Sequence, residues 1–257
     1  MTQPAIAPQP VAEPGPLDML RLAVRHNLHP EDELHPSWLP ADWPARHRSA
    51  ARFGPAGRAV LGELLRARGI VDDAMDFQFD SQLKRLGLMD AASLRRLALY
   101  CGFAVHKPLF SLRGGLGAQV RRQARRVADD AVDFVLDRVP QLTQIRVETQ
   151  GLQQRPLSAG RVMAQRGYRL LMGAVASQAN AGPPQVCLTP SGGGLGTAQP
   201  WGHLDRPMAL QRLQRKLPRR VSQLRVPPLQ PRQLDQLREL MLLCIVPERL
   251  PQWDWLF

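Results

Sequence analysis

The chain is short of the residues from which several familiar functions are built. Aromatic side chains make up 5% of its 257 residues, and none is interleaved with the longest basic run, DRPMALQRLQRKLPRRVSQLR at 205–225. A surface that stacks successive bases is therefore missing, and nucleic-acid binding is not expected. Cysteine occurs three times, at Cys101, Cys187 and Cys244. That odd, scattered set excludes a disulfide framework and a Cys-x-x-Cys zinc pair, and reads as small apolar residues in a reducing compartment. The longest apolar run, LMLLCIV at 240–246, is far short of the roughly 20 residues of a spanning helix. MTQPAIAPQPVAEPGP at the start has neither the basic end nor the apolar core of an export signal. A cytoplasmic protein is expected. Gly-x-Ser-x-Gly and His-Glu-x-x-His do not occur, and SGGGLG at 191–196 lacks the Lys-Ser or Lys-Thr of a P-loop. No catalytic site, metal or cofactor is expected.

Positive charge, proline and glycine are abundant instead. The formal net charge is +12, which calls for an acidic neighbour without choosing between nucleic acid, an anionic membrane surface and an acidic protein. Only Lys84, Lys107 and Lys216 among the 34 basic residues are lysines; the excess is arginine, suited to bidentate contacts with carboxylates as well as phosphates. With 24 prolines and 20 glycines, short elements joined by punctuated loops are expected.

The fold class read from these patterns is mainly α: a single compact helical domain over 17–257 with at most a minor β-hairpin. Residues 1–16, rich in proline, form a disordered arm, and about 180–205 form a flexible Gly/Pro-rich loop. LDMLRLAVRHNL places Leu17, Leu20 and Val24 on one helix face, closed by His29-Pro30. A second helix spans about 56–68 and breaks at Gly69. Gly87 reads as a helix C-cap and Asp90 as an N-cap for a helix burying Leu94, Leu97, Ala98, Cys101 and Val105, with Arg95 and Arg96 off that stripe and Pro108 ending it. A long helix over about 117–139 buries Val120, Ala124, Val127, Ala131 and Phe134 and stops at Pro140. TQIRVET (143–149) and QVCLT (185–189) alternate like paired strands. Between them Ser158 precedes a helix in which Gly167 and Gly173 permit close packing. A basic helix near 206–217 and an apolar one near 232–245, using Leu234, Leu237, Met241 and Cys244, complete the chain.

One repeat bears on chemistry. DDAMDFQFD at 72–80 returns as DDAVDFVLD at 129–137, and Asp-Asp-x-x-Asp is the pattern with which all-helical isoprenoid-diphosphate enzymes hold metal ions. On a helical wheel each set of aspartates falls within an arc of about 100°. Arg68 and Arg126 lie one turn ahead of Asp72 and Asp130, where ion pairs can form, so solvated helix stripes are the favoured reading over a magnesium site. The enzyme and a basic nucleic-acid binder stand as the alternatives. His26, His29, His35 and His47 lie among prolines without a metal-binding spacing and read as exposed or capping residues.

Trp38 and Trp43 in LHPSWLPADWP, and Trp253 and Trp255 in LPQWDWLF, sit in Pro-flanked ends that serve as lids on a core or as anchors for a partner. These segments, together with LKRLGLMDAASLRRLALYCGFAVHKPL and GRVMAQRGYRLLMGAV, resemble the K subunit of the bacterial type III secretion sorting platform (SctK family). The resemblance implies a soluble, largely helical, non-catalytic adaptor, peripheral to the cytosolic face of the inner membrane. It would link the cytosolic domain of the inner-membrane ring protein to the pod-forming Q subunit, and through it to the stator and the ATPase. Trp38, Trp43, Arg95, Arg96, Trp253 and Trp255 are the candidate partner-binding residues on physical grounds.

Overall fold

Asp90 sets the start of the central helix. In the computed structural model its carboxylate accepts hydrogen bonds from the amides of Ala92 and Ser93 (2.8 and 2.9 Å) and from Ser93 Oγ (2.7 Å), an N-cap worth about 1 kcal/mol. The structure describes residues 15–41, 43, 54–71, 75–77, 79–146, 158–181, 208–222, 226 and 228–257. The Pro-rich arm up to residue 14, the strand expected at 185–189 and nearly all of the loop expected at 180–205 lie outside them, as do Asp72, Asp73, His47 and Cys187.

The described residues are mainly helical and contain no strand. In chain order the helices are α1 (Pro16–Leu28), α2 (Gly54–Ala67), α3 (Gln82–Arg85), α4 (Ala91–Ala104), α5 (Lys107–Phe110), α6 (Gly115–Val127), α7 (Ala131–Asp137), α8 (Ala159–Ala181), α9 (Met208–Lys216), α10 (Arg219–Ser222), α11 (Pro231–Glu239) and α12 (Val246–Arg249). The α4 stripe is buried as its spacing requires: Leu94, Leu97, Ala98, Cys101 and Val105 are all inside. Burial pushes the Cys101 thiol up to about 12, so it behaves as a small apolar side chain. α4 and α8 form the most extensively packed pair, with Gly102 and Gly167 at the crossing. A smaller cluster of Leu61, Leu65 and Val71 joins α2 to Leu34, Leu39 and Trp43.

Several expectations are corrected, each for a local reason. The helix expected over 117–139 is two helices: Asp129 Oδ1 accepts the Asp130 amide (2.9 Å) in a turn between them. A short polar side chain competing for backbone donors breaks the helix there, and Val127 is turned outward, 47% exposed. α7 already ends at Asp137, before Pro140, where Lys107 Nζ donates to the carbonyls of Leu136 and Val139. α4 likewise stops at Ala104, and Pro108 lies in the first turn of α5. Gly87 caps nothing; it lies buried in a 3₁₀ turn (Leu86–Leu88) without a positive φ, against the His26 ring. On α1 the face of Leu17 and Leu20 is exposed (67% and 55%), and Ala23, His26 and Asn27 are buried instead. Residues 143–146 form no strand and are pinned to α11, the amides of Gln144 and Ile145 donating to Gln236 Oε1 (2.9 and 3.3 Å). After α11 the helix widens into a π segment, Leu240–Ile245. Because i→i+5 bonding returns residues five apart to one face, Leu240 and Met241 are buried with Ile245 and Val246, while Leu234 and Cys244 are only half-buried.

Two histidines are inside, against the expectation for His26. Burial, with the positive charges of Lys216 and Arg212 alongside, holds His26 down at about 2; burial and Arg166 hold His106 at about 3. Arg166 Nη1 lies 3.0 Å from His106 Nε2. In the unfolded chain both protonate near about pH 6.5. The stability they carry is therefore whole above that pH and is lost as pH falls toward the folded values. Each should contribute a loss of about 2 kcal/mol by about pH 5. Urea unfolding should accordingly show about 4 kcal/mol less stability at about pH 5 than at about pH 7.5, with about half of that difference removed in His106→Gln. Equal unfolding free energies at the two pH values would contradict the assignment.

Candidate functional site

The tryptophan segment and the basic run, separate in sequence, are one unit in space. His35 donates its amide to the Arg215 carbonyl (2.9 Å), Trp38 Nε1 donates to the Leu217 carbonyl (2.9 Å), and the Arg219 amide donates to Ser37 Oγ (2.8 Å). Arg219 stacks over the Trp38 ring, 5.5 Å from its centroid. His35 caps the turn, accepting the Ser37 amide (3.1 Å). The basic helix is not a solvated strip. Arg212 is buried and donates to the His26 carbonyl (3.0 Å) and Asn27 Oδ1 (2.8 Å); Lys216 is buried and donates to Met89 (2.8 Å) and Gly87 carbonyls and pairs with Glu33. Of the seven basic residues in that run, Arg219 and Arg220 are the exposed ones among those described.

The other candidate tryptophans also pack downward. Trp253 is buried and donates from Nε1 to Ser93 Oγ (2.9 Å), the hydroxyl that Asp90 accepts from at the start of α4. Trp43 and Trp255 are half-buried, the latter donating to the Gln252 carbonyl (2.9 Å).

Arg95 and Arg96 have a different setting. They form one wall of an open groove of about 380 Å³ between α4, the α6–α7 turn and α8. Leu99, Val127, Ala128 and Ala164 supply its apolar surface and Tyr168 its far side. The second aspartate pair, in the α6–α7 turn, also lines it. Asp130 is spent internally: it accepts from the Tyr100 hydroxyl (2.6 and 2.8 Å) and pairs with Arg249 (2.9 Å), whose guanidinium lies 4.5 Å from the Phe134 centroid. The ion pair expected from Arg126 to Asp130 is replaced by that one and by Arg125 with Asp133 (3.0 Å). Burial, then the bond to Asp130, raises the Tyr100 phenol above its usual range, so it stays a donor. Tyr168 is raised by burial, opposed by the charge of Arg95; burial lowers His35, and Arg95 adds to it. Arg96 lies over the Tyr100 ring, 5.8 Å from its centroid. Among the described residues neither Arg95 nor Arg96 has a carboxylate within ion-pair distance.

The aspartate repeat does not form two equivalent stripes. Residues 75–77 and 79–80 form no helix, Asp76 is held by both backbone groups to the Asn27 side chain (2.8 Å each), and Asp129 and Asp130 lie in a turn. The helical wheel behind both the solvated-stripe reading and the metal reading therefore does not apply, and the expectation of two solvated helix stripes is corrected. Sequence reasoning found Arg95 and Arg96 but missed Val127 and Tyr168. The Asp-Asp pair after Ala128 was the signal for Val127, as a helix break; nothing in the spacing of Tyr168 sets it apart from the core. Among the described residues no helix is long and apolar enough to cross a membrane. Comparison with family models, with curated proteins and with solved structures finds no match.

Proposed function

We propose that the chain is a non-catalytic adaptor of a type III protein secretion system. It acts on the cytosolic side of the inner membrane, joining the cytosolic domain of the ring protein to the pod-forming Q subunit and so serving export. One observation carries the reading. Two of the segments on which the resemblance rests, residues 83–109 and 160–175, pack against each other as α4 and α8, and α4 carries Arg95 and Arg96 on the groove wall with no carboxylate partner among the described residues. Arg96 is exposed and Arg95 half-buried, and arginines reachable from solvent speed encounter with an acidic partner and set its register. Deleting the gene should stop type III export while leaving the membrane rings assembled. Normal export in the deletion strain would overturn the proposal.

A further inference from the structure

Arg95 and Arg96 line the groove, and two further arginines lie close to its lining residues in the chain. Arg95 and Arg96 stand on α4, Arg126 immediately precedes Val127 at the end of α6, and Arg161 lies on the α8 face of Ala164 and Tyr168, three and seven residues earlier. None of the four has an ion-pair partner among the described residues, and against them the rim offers one carboxylate without such a partner, Asp129. With Asp130 paired to Arg249, the lining keeps Arg95 and Arg96 against Asp129 beside an apolar floor. A cationic or purely apolar occupant would leave the arginines unanswered. Nucleic acid fits poorly, because Asp129 and Asp130 stand where phosphates would pass, and the Tyr100 ring is buried rather than open for stacking.

We infer that this groove is the docking site for an acidic peptide segment of a partner protein, one that seats an apolar side chain on Leu99, Val127 and Ala164 and sets carboxylates against Arg95 and Arg96. The inference rests on the adaptor reading for its biological setting but not for its chemistry. An apolar anchor ringed by charge pairs is the usual energetic arrangement of such a site, and the arginine forks favour carboxylates bidentately. Asp129 fixes direction by repelling the acidic side of the segment from that rim.

The test is selection from a displayed random dodecapeptide library on the full-length chain, repeated on Arg95→Glu/Arg96→Glu and on Val127→Ser. Arg95 and Arg96 lie off the buried α4 stripe and Val127 is exposed, and far-UV circular dichroism checks that each variant is folded. Enriched peptides should carry two or more Asp or Glu beside an apolar residue. Their affinity for the charge-reversed chain should fall at least about tenfold, with a smaller fall for Val127→Ser. The affinity of the wild-type chain should also drop near about 1 M salt, where the Debye length is about 3 Å. Peptides without acidic bias, or acidic peptides held equally by all three chains, would overturn the inference, as would an oligonucleotide gel shift lost in the charge-reversed chain. Failure of the adaptor reading is seen separately. Acidic peptides bound through the groove, with export normal in the deletion strain, leave the groove standing and remove its assignment to secretion.

Discussion

Replacing Gly167 with alanine should destabilise the protein by about 3 kcal/mol or more, although helix propensity alone favours the change by about 1 kcal/mol. Packing decides because of how closely α4 and α8 cross. A Cβ on Gly167 would lie 1.7 Å from the Ala98 carbonyl oxygen and 2.7 Å from its carbon, and one on Gly102 would lie 2.1 Å from the Met163 carbonyl oxygen. These obstacles are backbone, so no rotamer relieves them; the helices must separate. Separation opens space around Leu97, Cys101, Met163 and Leu171, all fully buried, and interiors at crystal-like density do not absorb such gaps cheaply. Gly115→Ala is the control, since a Cβ there meets nothing within 4 Å and the change should be neutral or slightly stabilising. Urea unfolding followed by circular dichroism gives both values. A Gly167→Ala protein as stable as the parent would mean that the helices do not cross this closely. Because α4 carries Arg95 and Arg96 and α8 carries Ala164 and Tyr168, the same variant should also bind acidic peptides more weakly by displacing the groove walls.

What was legible in the sequence was the periodic part. Asp90 as a cap, the five-residue buried stripe of α4 and the close approach at Gly167 follow from spacing and from one residue's chemistry. What was not legible were the places where a polar side chain outcompetes the helix or is taken into the core. Ala128–Asp130 reads as helix by period and breaks because Asp129 captures a backbone amide. The 240–246 run reads as α and becomes π because its buried residues repeat at five. Leu17, Leu20 and Val24 form a coherent stripe, yet α1 turns the other way and buries Asn27, whose amide is satisfied by Ala23, Asp76 and Arg212. The groove shares this property. Its arginines were visible as residues left off a stripe, whereas its floor depends on the turn that exposes Val127 and on the neighbouring helix.

Lys216→Met should cost about 3–5 kcal/mol, a large effect for a residue that reads in sequence as one of many surface cations. Lys216 is 3% exposed, and its three donors are each used, on the carbonyls of Gly87 and Met89 and on the Glu33 carboxylate. Burial lowers its pKa and Glu33 opposes that. Methionine fills similar volume but removes the ammonium from two buried carbonyls and leaves Glu33, itself buried, with only Arg25 at 3.7 Å among the described residues. Adding Glu33→Gln to Lys216→Met should recover part of the loss by removing the stranded charge, and the double-mutant cycle measures that coupling. Lys216→Arg should not rescue, because a planar fork cannot aim three donors at converging oxygens as an ammonium does. That geometry fits two of the three lysines that an arginine-rich chain retains: Lys107 likewise gathers two carbonyls, at the end of α7. Lys107→Met, at a half-buried site, should cost less, about 1–2 kcal/mol. Urea unfolding of the set ranks them, and a Lys216→Met protein within about 1 kcal/mol of the parent would show that the carbonyls and Glu33 find other partners. The same lysine fixes the turn before Asp90 and the segment that holds Trp38. A destabilised Lys216 variant should therefore lose the tryptophan unit along with the start of α4, the helix that presents Arg95 and Arg96.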